Sequence, residues 1–465
     1  MNDLSDTARR YAEASPEPSL QAILKTLNET VPPPLDRSTY EFLGNEDIPY
    51  ERYTSQAFFD LEMERMWTKV WQWACREEHI PEPGDYVVYD IGKYSIVVTR
   101  TETGAIKGFW NSCLHRGTKL CPSHTQGSKD DFTCIYHGWQ WNLDGSLKNI
   151  PSAWDFSHVD AEEFRLPEVR VETWGGFVFI NMDENAPPLM EYLGVLPEHF
   201  ANWNMRDRYV TVHIQKELPC NWKLAAEAFM ENYHTRVTHP QLLSSVSEPS
   251  TQYDICDKHL SRFHCLAGVP SPHLGKTLTQ QEIVDGLMMG DRSVVDKPVI
   301  VEEGSNARRA MAGYLREQFD KAMDVGTESL SDAEILDTIE YTLFPNMFLF
   351  PGLSLPMVYR FRPIGNDPEK SLFDLLFLRP IPRSGERPEP AEPVRIPIEV
   401  SYATVPGMDP GMGHVYDQDT WNLGMQQEGL ATSKKPGQTL ASYQEVRIRH
   451  LNNTLDAYLR GEPGA

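Results

Sequence analysis

The sequence predicts an α+β fold in two parts: a small antiparallel β domain whose loops hold metal, then a larger domain with a curved antiparallel sheet wrapped around a long helix. Three observations predict it. Between residues 86 and 180, short segments of alternating apolar residues are separated by Gly-containing turns, as in a barrel or sandwich. Two Cys-His pairs, Cys113-Leu-His115 and Cys134-Ile-Tyr-His137, fall inside that stretch at loop-tip spacing. Beyond residue 213 a strand leads into a histidine-bearing helical segment, and later apolar runs alternate with turns at Pro351-Gly352 and Gly365-Asn-Asp-Pro368.

Taken in order, residues 1–45 read as an arm, with helical character over 19–30 and a turn at Val31-Pro-Pro-Pro34. From 55 to 74, Phe58, Phe59, Leu61, Met66, Trp67, Val70 and Trp71 recur at helical spacing and predict a helix entering the metal-bearing domain, 46–185. Strands are expected over 86–90, 94–99 and 106–111, with 174–180 as the closing strand and Pro187-Pro188 at the boundary. The second domain, 186–465, opens with a strand over 213–218. Residues 265–301, with Gly268, Gly275, Gly286 and Gly290 beside Leu287, Met288 and Met289, predict a lid or pocket wall. Helices over 306–323 and 332–341 precede strands over 343–350, 357–363 and 372–380.

At 465 residues the chain is long enough for two or three cores. A formal charge of −24 opposes binding to nucleic acid, whose phosphates would be repelled. Seven cysteines are too few and too irregularly spaced for a disulfide framework, which points to a reducing cytoplasm. Arg9-Arg10 is followed by Tyr-Ala-Glu-Ala-Ser-Pro, not by an apolar core, so it is not read as a twin-arginine signal. The longest apolar stretch, 343–359, is broken by Pro345, Pro351 and Pro356 and reads as sheet and turns, so no membrane span is expected.

The Cys-His pairs narrow the metal chemistry. Four cysteines would suit an ordinary ferredoxin cluster or structural zinc, whereas two thiolates on one iron and two imidazoles on the other describe a Rieske 2Fe-2S centre. Imidazole donates less charge than thiolate and can be neutral, so the reduction potential rises from about −400 mV toward 0. A zinc knuckle is the alternative. Against it stand Gly117 and Gly138, one at each tip, which let the backbone turn tightly and bring N–H groups close to bridging sulfides. Trp139 and Tyr136 are placed to wall the cluster from water. Both half-motifs, with Arg116 and Trp139, resemble those of the Rieske non-haem iron oxygenase alpha subunits, the aromatic ring-hydroxylating oxygenases.

The second constellation is Asn221-Trp-Lys, Glu231-Asn-Tyr-His234 and His239-Pro240. Glu231 and His234, three apart, share a helix face. His239 would be rotated by about 140° from His234 on an ideal helix, so both reach one ion only if the helix loosens or ends between them. Pro240 supplies the reason, because it pushes the preceding residue out of the α region. The segment resembles the mononuclear iron helix of the same family. Non-haem iron of this type takes two imidazoles and a carboxylate. Asp419, eight residues before Gln427-Glu-Gly429-Leu430, resembles in its spacing the family's carboxylate ligand, so the resemblance implies it as the third ligand, with Asp417 as runner-up and a helix N-cap as the competing role.

The resemblance covers the chain from about residue 45 and implies a helix-grip (START/Bet v1-like) catalytic domain. It further implies a terminal oxygenase that uses O2 and electrons from a separate reductase, with or without a ferredoxin. NAD(P)H would serve only indirectly, since the chain has no flavin or nicotinamide fingerprint. In the family the cluster of one subunit serves the iron of its neighbour through a bridging carboxylate. That role falls on Glu231, with His137 and His234 as its partners, and implies a homotrimer or a multiple of one, with or without a beta subunit. The family's usual bridging residue is aspartate, and members with glutamate include monooxygenases of quaternary amines. An aromatic or other mostly apolar substrate is the expectation, with hydroxylation, cis-dihydroxylation and oxidative demethylation all open. An electron carrier with only the Rieske domain active is the cross-class alternative.

Overall fold

The computed structural model describes residues 15–288, 298–323, 326–383 and 385–462. Arg9-Arg10, Met289 and Gly290 lie outside the described residues. The chain separates into two compact units: Asp60–Tyr192, with Ile364–Asp367 and Gly461–Ala465, and a larger one built from Met1–Phe59, Leu193–Pro363 and Pro368–Arg460.

The smaller unit is antiparallel β. Its seven-stranded sheet runs in the order Gln72–Arg76, Phe177–Asn181, Glu168–Trp174, Ile106–Trp110, Tyr94–Arg100, Asp85–Ile91, Gln126–Ser128. A three-stranded sheet of Phe132–Thr133, Gln140–Trp141 and Leu147–Asn149 carries the second Cys-His pair between its first two strands. The three early strands fall where the alternation put them. The expected closing strand is instead a hairpin, because Gly175 and Gly176 both take positive φ and turn the chain so that Trp174 faces Phe177. The expected 55–74 helix stops at Arg65 and Gln72–Arg76 is a strand buried at every position. Continuous burial erases the alternation by which a strand is recognised, so the apolar run imitates a helix.

The larger unit holds an eight-stranded sheet in the order Gln252–Asp257, Leu260–Cys265, Thr338–Leu343, Met347–Leu349, Met357–Pro363, Ser371–Pro380, Arg208–Leu218, Val394–Ile396. All neighbours are antiparallel except the last pair. The long helix Pro410–Thr432 starts at Asp409, whose side chain accepts from the Met412 N–H. It buries Tyr416 against Tyr359 and Phe373 of two central strands. The helix Val446–Arg460 packs on the strands Gln252–Asp257 and Leu260–Cys265, and its buried Arg447 pairs with Glu340 at 2.7 Å.

Three expectations for this unit change. The segment 332–341 splits into a short helix, Asp332–Leu336, and the strand Thr338–Leu343. Ile283, Val284 and Leu287 of the helix Gln280–Met288 are core residues packed with Met311 and Leu315 of Ala307–Ala322, not a lid. The segment 46–59 joins this unit rather than the cluster-bearing one, because Ile48–Pro49 pairs with Gly437–Gln438 and the buried Tyr53 hydroxyl donates to Glu227 at 2.7 Å. The arm binds this unit as well: Leu20 and Leu24 of the helix Leu20–Leu27 pack on Leu266, and Glu29 pairs with the buried Arg308 at 2.8 Å.

Candidate cluster site and candidate active site

The two Cys-His tips are built alike. The Cys113 N–H donates to Thr118 O at 2.8 Å and the Gly117 N–H to Cys113 O at 2.9 Å; the Cys134 N–H donates to Trp139 O at 2.8 Å and the Gly138 N–H to Cys134 O at 3.0 Å. Gly117 and Gly138 sit at φ 77° and 73°, which only glycine adopts without cost. Their own N–H groups are therefore spent on closing the loops. The N–H groups of His115 and Arg116 face the Cys113 sulfur instead, and those of Tyr136 and His137 face Cys134. Burial raises the Cys113 thiol; at Cys134 burial acts the same way but the Tyr136 and His137 N–H groups outweigh it and lower it.

The imidazoles of His115 and His137 lie with ring centroids 4.6 Å apart. Burial, then His115 and Arg116, lower the His137 pKa, which favours the neutral ring. Both Nδ1 atoms are buried with no hydrogen-bond partner among the described residues. A buried nitrogen left unpaired costs about 1–3 kcal/mol, so two of them beside two buried thiols mark a site made for a bound group. Trp139 stacks parallel on His115 at 5.0 Å and is buried. Tyr136 is 56% exposed, so it forms part of the rim and not of the wall.

In the other unit, Asn221 caps the helix Trp222–Glu227 through a bond from the Lys223 N–H at 3.0 Å. The helix ends there, four residues before Glu231, so Glu231 and His234 meet in an irregular segment and not on a helix face. They still meet: Glu231 Oε1 lies 2.6 Å from His234 Nδ1, and Oε2 accepts from the N–H groups of Tyr233 and His234. One turn of helix, Thr235–Thr238, separates the two histidines, with His234 before it and His239 after it at φ −124°, ahead of Pro240. That break swings His239 round to the face of His234.

Asp419 completes the group. Its Oδ1 is 2.7 Å from His239 Nε2 and 3.6 Å from His234 Nε2, and the three ligand atoms all lie within 4.8 Å of one another. Asp419 is mid-helix, so it caps nothing. Asp417 points away and accepts from the Ser401 hydroxyl and the Tyr402 N–H. Burial pulls the His234 pKa down, but Glu231 and then Asp419 outweigh it and raise it to about 9. Gln418 was not foreseen: its Oε1 is 2.9 Å from His239 Nδ1 and also accepts from Gln241 Nε2 at 2.7 Å. Nothing in the sequence marked it, because adjacency to Asp419 does not tell which neighbour a helix turns toward the histidines.

Such an arrangement defines a protein with one iron-sulfur β domain and one helix-grip domain bearing a two-histidine, one-carboxylate group. Comparison with known proteins agrees. Residues 200–461 match the ring hydroxylating alpha subunit (catalytic domain) family, and residues 70–160 match the Rieske 2Fe-2S domain. The chain belongs to the ring-hydroxylating alpha subunit family, which implies a Rieske cluster and a mononuclear iron.

Among its relatives, benzene 1,2-dioxygenase subunit alpha of Pseudomonas putida is 39% identical over 192 residues, 40% of this chain and 42% of that one. The glycine betaine monooxygenase oxygenase subunit of Pseudomonas aeruginosa is 32% identical over 221 residues, 46% of this chain and 51% of that one. The match thus spans about half the length of these relatives. In fold, the chain is similar to a quaternary ammonium Rieske monooxygenase (TM-score 0.62, 19% identity, 89% and 95% of the two chains). It is equally similar to a naphthalene 1,2-dioxygenase variant bound to phenanthrene (TM-score 0.63, 19% identity, 90% and 93%). No helix among the described residues is long and apolar enough to cross a membrane.

Proposed function

We propose that the chain is the terminal oxygenase component of a Rieske oxygenase, taking electrons from a separate reductase, with or without a ferredoxin, and using O2 to oxygenate a small organic substrate. The observation that carries this reading is the convergence of His234, His239 and Asp419 in a chain that also holds two buried, unpartnered imidazole nitrogens beside Cys113 and Cys134. In it, Cys113, His115, Cys134 and His137 hold the cluster, and His234, His239 and Asp419 hold Fe(II). The bound metals supply one-electron transfer and the centre at which O2 is reduced.

The chain's own residues then orient those ligands. Glu231 Oε1 accepts the His234 Nδ1 proton and Gln418 Oε1 accepts that of His239, so both Nε2 atoms present lone pairs toward one point. On this reading Glu231 also bridges to His137 of a neighbouring copy. Ile135 and Tyr136 at the cluster tip, 88% and 56% exposed, and Tyr233 and Val237 beside the triad, 58% and 82% exposed, are the apolar surfaces such a head-to-tail contact needs. The assembly that follows is a homotrimer or a multiple of one, with a beta subunit allowed, and native mass of the active form tests it.

The substrate proposed first is aromatic or otherwise mostly apolar. Phe229, Tyr359, Phe361, Phe373 and Tyr416 form a buried aromatic cluster, Tyr416 lying one turn before Asp419 on the same helix, with ring centroids 4.5–6.4 Å apart. The same ring faces would attract a methylated ammonium, and with Glu231 at the bridge this favours a second reading, oxidation of a quaternary amine. Product analysis of the reconstituted protein with aromatic acids, aryl ethers and methylated amines separates the two. Metal analysis tests the class: about three irons per chain support the oxygenase, about two leave only an electron carrier, and zinc alone overturns both.

A further inference from the structure

On the side of the triad where Glu231 sits is a chamber of about 160 Å³, walled by Glu231, His234 and Asp419 and, further out, by Glu227, Gln438 and Glu445. A water occupies about 30 Å³ in the liquid, so the chamber has room for several. Its two outer carboxylates differ. Glu227 is fully engaged, accepting from Tyr53 Oη at 2.7 Å, Gln438 Nε2 at 3.1 Å and Asn452 Nδ2 at 3.2 Å. Glu445 accepts only from the Ala441 N–H, at 2.6 Å through Oε2, and Oε1 has no hydrogen-bond partner among the described residues.

The groups facing Glu445 favour its neutral form. Burial acts most strongly; the Ala441 N–H works against it, Glu231 and Glu227, which line the same chamber, add to it, and Arg449, on the helix that begins at the next residue, opposes, with a pKa of about 7 as the outcome. Hydroxylation consumes protons: a substrate C–H, O2, two electrons and two protons give C–OH and water. The reductase supplies the electrons, whereas His234, His239 and Asp419 have no proton to give through the atoms that hold metal.

We propose that Glu445 supplies these protons: its neutral carboxyl donates the O–H proton to chamber water, which carries it toward the Glu231–His234 side, and bulk solvent reprotonates the carboxylate. The inference rests on the oxygenase reading and gives Glu445 a positioning role that acts through water. Glu445→Gln tests it, since the amide oxygen still accepts from Ala441 while the exchangeable acid is gone.

In the holoenzyme without substrate or reductant, infrared difference titration should contain a carboxylic C=O band that disappears near neutral pH, absent from Glu445→Gln. Single-turnover product formation in Glu445→Gln should be about a hundredfold slower and lose its dependence on pH near neutrality, with both metals retained and part of the rate restored in Glu445→Asp. No titrating band at Glu445, or a Glu445→Gln rate and pH profile equal to wild type, overturns the proposal. A wild-type protein that forms no product with any substrate removes the oxygenase reading itself and the proton role with it, and the infrared titration, which needs no turnover, tells that failure from this one.

Discussion

Replacing Gln418 with alanine removes the acceptor that holds His239 Nδ1. The two atoms are 2.9 Å apart, and Gln241 Nε2 pins the same oxygen from the other side at 2.7 Å, so the amide is fixed before any metal arrives. His239 is 3% exposed, and its freed N–H would find little water. The ring could then change tautomer or rotate, turning Nε2 away from the Asp419 Oδ1 that now lies at 2.7 Å. Loss of such a partner lowers metal affinity about 10–100-fold, or about 1.4–2.7 kcal/mol. The unpaired donor adds about 1–3 kcal/mol of instability to the metal-free protein. Chelator competition for Fe(II) measures the first effect, with cluster absorbance as an internal reference, and Gln418→Glu, which keeps an acceptor in place, should retain affinity. Fe(II) binding by Gln418→Ala within about twofold of wild type would refute the reasoning, as would a parallel loss of cluster absorbance.

Cys113→Ser or His137→Ala should abolish the brown cluster and its absorbance while Fe(II) binding at the other site persists; a surviving Rieske-type spectrum removes the assignment. Asp419→Ala should lose about one iron per chain and all turnover with the cluster intact, whereas Asp417→Ala, which frees Ser401 and Tyr402 and takes the carboxylate from the buried Lys216, should keep iron; the reverse pattern exchanges the two aspartates. Glu231→Gln should keep both metals yet slow oxidation of the reduced cluster by orders of magnitude in stopped-flow, and an unchanged rate takes Glu231 out of the path. Burial, then Arg447, depress His450 to about 4 against about 6.5 when unfolded, so its contribution is complete above pH 6.5 and lost as pH falls toward 4, by up to about 3 kcal/mol. Denaturant melts at pH 7.5 and 4.5 should therefore diverge less in His450→Gln, and an equal loss in both proteins assigns the acid sensitivity elsewhere.

The sequence alone pointed to the Cys-His motif, the two-histidine segment and the fold class, because their signals are local. The Cys-His pairs lie on single tight turns, each closed by a glycine within four residues of its cysteine, and Pro240 breaks the backbone beside His239 whatever surrounds it. A strand with one partly wet face, Asp85–Ile91, announced itself by alternation. Elements buried on every side did not: Gln72–Arg76 passed as helix, and Thr338–Leu343 was absorbed into the helix before it.

Only the tertiary structure decided between Asp419 and Asp417. The two are separated by about 200° around one helix, and which of them meets the histidines depends on how that helix rolls against the sheet, a rotation set by packing of Tyr416 on Tyr359 and Phe373. It also brought in Gln418 beside His239, and Glu445, more than two hundred residues from Glu231, across a shared chamber. Those neighbours are long-range contacts with no periodicity or spacing to betray them, so they become visible only once the chain has closed on itself.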